Sequence, residues 1–141
     1  MKSLYIFCFA MLALLAQPLY AQDLEFENLI GSYEVSDTWL QNDATSDQKK
    51  VLKTRAVYLE LKAVESDQEQ SYAAFLHDAK TKRVIWEATW VGDKNDYFDL
   101  VRVDDPDVVY NCNYTEDDDT ANITIFNYFG EDQPLVFESK N

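Results

Sequence analysis

Histidine occurs once in this chain, as His77, and cysteine twice, as Cys8 and Cys112. Glycine and proline occur three times each among 141 residues. Each scarcity excludes something. A zinc centre built from one histidine and one or two cysteines lacks ligands. A chain with three glycines has little scope for a Gly-rich phosphate cradle, and no H-E-x-x-H spacing is present. Nucleophilic hydrolysis usually sets a Ser, Thr or Cys beside a histidine base, and His77 has no partner that the sequence identifies. Basic residues are also scarce: 12 Lys and Arg stand against 26 Asp and Glu, for a net charge of −14. Such a chain repels phosphate backbones and anionic lipid surfaces, which excludes nucleic acid and peripheral membrane binding as expected partners. No cofactor is implied. Carboxylate pairs suit acid–base catalysis, but with this many acids any pairing can be found, so enzymatic activity is left open and nothing supports it.

What is present begins with M-K-S-L-Y-I-F-C-F-A-M-L-A-L-L-A-Q-P-L-Y-A-Q. Lys2 precedes an apolar run over residues 4–16, Pro18 breaks it, and Ala21 offers a small residue for cleavage before Gln22. The run is shorter than the ~20 residues a membrane span needs. Residues 1–21 therefore read as a secretory signal peptide, and residues 22–141 as a single domain that is secreted or periplasmic, monomeric and not inserted in a membrane. Cleavage removes Lys2 and no acid, and leaves Cys112 as the only thiol. The mature fold must then stand on its core without an internal disulfide.

Beyond the signal, apolar residues recur at period two. Val57, Leu59, Leu61 and Ala63 share one face; so do Val84, Trp86, Ala88 and Trp90; so do Val108, Tyr110, Cys112 and Tyr114. This is the alternation of antiparallel strands with one wet face. Strand signals fall near 29–39, 54–64, 70–78, 83–91, 97–103, 107–115, 121–129 and 134–138. Short polar connectors favour a meander. The expected fold is all-β: an antiparallel meander of about eight strands closing into a small barrel, with a two-sheet β-sandwich as the alternative. One connector, residues 40–53, is longer and has room for a helical turn with Ser46 as its N-cap.

The opening stretch Leu29-Ile30-Gly31-Ser32-Tyr33-Glu34-Val35 resembles the Gly-x-Trp start of lipocalin-like (calycin) domains, with Tyr33 where that family has Trp. The resemblance implies a closed eight-stranded barrel with a long first loop over its mouth. A C-terminal helix, a second family motif and a disulfide are not seen in the sequence.

Two candidate sites follow. An aromatic set of Tyr33, Trp39, Trp86, Trp90, Phe98, Tyr110 and Tyr114 is expected inside the barrel. There it either fills the core or lines a cavity for one small apolar or amphipathic ligand beneath the 40–53 loop. An acidic set of Asp93, Asp96, Glu116, Asp117, Asp118 and Asp119 gathers at one end in a meander. Its ordinary reading is tight turns, for which Asp is favoured; its alternative is a calcium site, which takes six to eight oxygens. Cys112 shares parity with Val108 and Tyr110 and is expected to be buried and inert. Asn113 and Asn122 head Asn-x-Thr sequons, which matter only in eukaryotic secretion, whereas the ending L-Y-A-Q has a bacterial look. The expected function is ligand binding without catalysis; the alternative is an acidic protein-interaction or structural module, of inhibitor or adhesin type, with a filled core.

Overall fold

The computed structural model describes residues 26–66, 69–92, 96–117 and 120–139. Residues 1–21, where a signal peptide is expected, and three residues of the acidic set, Asp93, Asp118 and Asp119, lie outside the described residues. A single 3-10 turn, Phe26–Asn28, leads into strand β1, Gly31–Val35, and then two helices, α1 (Asp37–Asn42) and α2 (Ser46–Thr54). Seven further strands follow: β2 Val57–Ser66, β3 Glu69–Asp78, β4 Val84–Gly92, β5 Tyr97–Arg102, β6 Val109–Asp117, β7 Thr120–Gly130 and β8 Gln133–Ser139. All neighbours are antiparallel and consecutive, and β1 pairs with β8 through Tyr33↔Ser139, Glu34↔Glu138 and Val35↔Phe137. The sheet is a closed barrel, and the sandwich alternative falls away.

Three local expectations need correction. The first strand stops at Val35 instead of running to residue 39, because the Ser36 side chain accepts the Trp39 backbone N–H at 3.3 Å and opens α1. Trp39 therefore does not share a strand face with Tyr33 and Val35; it reaches the core from a helix. In the next helix the N-cap is Thr45, not Ser46. Thr45 Oγ1 accepts the Gln48 N–H at 3.2 Å while Gln48 Oε1 accepts the Thr45 N–H at 2.9 Å, a reciprocal capping box. Finally, Val84 is 52% exposed, not interior with Trp86. The β3–β4 register passes from Leu76↔Trp86 to His77↔Val84, so Ile85 is an extra residue in a bulge. A bulge reverses which residues face inward beyond it, and Ile85 packs on the core in place of Val84.

The alternation otherwise sorts the strands as expected. Leu59, Leu100, Ile123, Ile125, Leu135 and Phe137 meet in mid-barrel, each 0% exposed, so no water-sized space opens against them. Each such side chain contributes roughly 1.5–3 kcal/mol by leaving water. The barrel has two unlike ends. The strand termini where β2 meets β3, β4 meets β5 and β6 meets β7, with the start of β1, lie at one end, called here the turn end; α1, α2 and the opposite strand termini lie at the helix end.

Candidate functional site

The seven aromatic residues divide between the two ends. Towards the helix end, the Trp86 ring stacks on Tyr110 with centroids 5.0 Å apart, while Trp39 descends from α1 to the core, 6% exposed. Arg102, the last residue of β5, donates from Nε to Asp104 at 2.9 Å and also engages the Tyr110 side chain. Near the turn end, Trp90 meets Tyr72 edge-on at 5.9 Å and Phe98 at 6.4 Å. Gly92 makes that arrangement feasible: a Cβ there would lie 2.2 Å from Cη2 of the Trp90 indole. Tyr33 and Tyr114 come together at the same end. The structure thus joins Trp86 with Tyr110, Trp90 with Phe98, and Tyr33 with Tyr114, and separates these groups by the packed mid-barrel.

The phenols at the turn end are bonded within the protein. Tyr33 donates to the Leu29 carbonyl at 2.7 Å, and Tyr114 donates to Glu116 Oε1 at 2.6 Å. Burial, and then the Glu116 charge, push the Tyr33 phenol up to about 12. Burial and the Glu116 bond push Tyr114 upward as well. Of the acidic set, Asp96 accepts the Tyr114 N–H through its backbone carbonyl at 2.9 Å, and Asp117 is described only in its strand backbone. Among the described residues no three His, Cys, Asp or Glu side chains gather as a metal ion would require.

His77 lies on the outer wall, as its parity with Ala73 and Phe75 implies. It stacks flat on Tyr58 at 4.6 Å, its Nε2 lies 3.3 Å from Glu60 and its Nδ1 lies 3.1 Å from the Lys82 carbonyl. Both nitrogens are thus engaged by a carbonyl and a carboxylate oxygen.

One feature that sequence reasoning missed lies beside that wall. A groove of about 490 Å³ runs between the helices and the outer faces of β1 and β2. Leu40, Leu52 and Val35 supply its apolar side, and Glu34, Asp37, Glu60 and Lys82 its rim. Lys82 also lies 5.1 Å over the Tyr58 ring. A signal for it was present: Leu40 and Leu52 flank a Thr-x-x-Gln box, the mark of a short helix that must set its apolar side against something. A smaller cleft of about 340 Å³ opens at the turn end beside Tyr33, Tyr114 and Glu116.

Fold and clefts together define a small closed antiparallel β-barrel, compatible with a lipocalin-like architecture, with recesses beside its helices and at its turn end. Comparison of the chain with protein-family models, curated proteins and solved structures finds no match.

Proposed function

We propose that this protein is an exported, lipocalin-like, non-enzymatic domain that binds a small amphipathic molecule in the groove between its helices and its outer barrel wall. One observation carries the reading: a groove of about 490 Å³ that joins an apolar side to a charged rim, within the 300–1,000 Å³ range typical of ligand pockets. The ligand's apolar body lies against Leu40, Leu52 and Val35, and its polar head meets Glu34, Glu60 and Lys82. The signal-like segment over residues 1–21 and the acidic composition support export. The reading sets the ligand on the underside of the 40–53 segment and not on the barrel axis, where Leu59, Leu100, Ile123, Ile125, Leu135 and Phe137 are each 0% exposed.

The test is a titration with the neutral fluorescent probe N-phenyl-1-naphthylamine. Its emission is expected to rise on binding, and Leu40→Gln, at a half-buried position on the groove, is expected to weaken binding at least tenfold without unfolding the barrel. An unchanged titration with Leu40→Gln refutes the site. No binding at all leaves the acidic protein-interaction module in its place, a reading favoured by the packed mid-barrel.

A further inference from the structure

The turn-end cleft carries a different chemistry from the groove. Its volume of about 340 Å³ accommodates a small organic group, and Tyr33, Tyr114, Glu116 and Ser139 line it. The positions of the protons decide what it recognises. The Tyr33 hydroxyl proton is committed to the Leu29 carbonyl and the Tyr114 proton to Glu116 Oε1. Ser139 Oγ accepts the Ala121 N–H at 3.2 Å. What these bonds leave facing the cleft are the phenolic lone pairs and the second oxygen of Glu116, all acceptors, beside the Asn28 amide and the Ser32, Thr120 and Ser139 hydroxyls, which donate or accept, so Glu116 brings the one charge among the described lining residues.

We propose that this cleft binds a small organic ammonium group, the head of a primary amine. An anion would meet the Glu116 charge, which the neutral donors of Asn28, Ser32, Thr120 and Ser139 do not offset. A neutral hydrocarbon would strip water from acceptors and return no donor, which is costly for each one left unmade. An ammonium supplies three donors and the complementary charge. The proton arrangement also holds across neutral pH, since burial and Glu116 keep both phenols protonated. Calcium fits poorly: it takes six to eight oxygens, usually with several carboxylates, and the cleft has one described carboxylate, Glu116.

The experiment is a ¹H–¹⁵N correlation titration of the folded protein at neutral pH. The probes are n-butylammonium chloride, 1-butanol, sodium butanoate and calcium chloride, at matched ionic strength. Butylammonium is expected to shift the Gly31, Ser32, Ala121 and Ser139 amides saturably, and the other probes are not. Glu116 is exposed, so Glu116→Gln keeps the fold; it is expected to weaken butylammonium binding at least tenfold. Glu131→Gln, an exposed acid in the β7–β8 connection at the other end, is expected to leave binding unchanged. Equal shifts with 1-butanol, saturation by calcium at a lower concentration, or equal loss in the two variants would overturn the assignment.

Discussion

Cys112 offers the sharpest test of how this barrel is packed. It is 2% exposed, sits opposite Phe98 on β5 and Ile125 on β7, and its Sγ lies 3.6 Å from the Tyr110 carbonyl. Replacing it with Ser puts a hydroxyl where the Tyr110 carbonyl that Sγ meets is too far, since an O–H···O bond needs about 2.5–3.0 Å. An unsatisfied buried hydroxyl costs about 1–3 kcal/mol in proteins. For a domain near this size that lowers the melting temperature by roughly 4–12 °C. Cys112→Ala removes the sulfur but adds no polar atom, so Ser is expected to be the worse of the two. The thiol should also be slow. Burial raises its pKa, with Asp99 adding to the effect, so thiolate is scarce, and a reagent must wait for the barrel to open. With an opening free energy of about 5 kcal/mol, labelling falls about 4,000-fold below that of a free thiol. The assay is disulfide exchange with a chromogenic reagent on the chain lacking residues 1–21, with thermal melts of the Ser and Ala variants alongside. Labelling within a hundredfold of a free thiol, or a Ser variant as stable as the Ala variant, would refute the parity argument that places Cys112 inside.

Three further outcomes follow from the same geometry. Tyr33 and Tyr128 are both pushed up to about 12, chiefly by burial, whereas unfolded phenols ionise near pH 10. The unfolded chain therefore loses its protons first: stability is full below about pH 10 and declines towards pH 12, which urea midpoints at pH 8, 10 and 11 will show; a flat profile contradicts it. Gly92→Ala drives a methyl into the Trp90 indole, so it is expected to cost about 1–3 kcal/mol and to shift tryptophan emission, measured by denaturation and fluorescence. Thr45→Ala removes one half of the α2 capping box and is expected to cost about 1 kcal/mol by urea denaturation, with the barrel strands retained in far-UV circular dichroism.

The strands were legible because their signal is local. Period-two patterning placed Leu59, Trp86, Cys112 and Tyr114 inside from their own segments, and short polar connectors implied the meander that the ladders follow. The misreadings arose where local signals compete. At Ser36 an extended run and an N-cap read alike until the chain turns. At Val84 one inserted residue, Ile85, reversed the facing that alternation predicts, because a bulge is a property of two strands and not of one.

By itself, then, the amino-acid order determined the class: acidic, without the residues for a zinc centre, and all-β with an apolar stripe on each strand. It grouped Tyr33 and Tyr114 in one aromatic set and Glu116 in a separate acidic one, and could not join the two sets at one cleft, for β1 and β6 lie about eighty residues apart in the chain. Only closure of β1 on β8 decided that the aromatics split into an end facing the turns and an end facing the helices. Tertiary packing decided the rest. Whether an eight-stranded barrel is hollow depends on how the side-chain volumes of all its strands add up on one axis, and that sum appears in no single segment. Here Leu59, Leu100, Ile123, Ile125, Leu135 and Phe137 fill the axis, leaving the recesses where the helices and turns meet the wall.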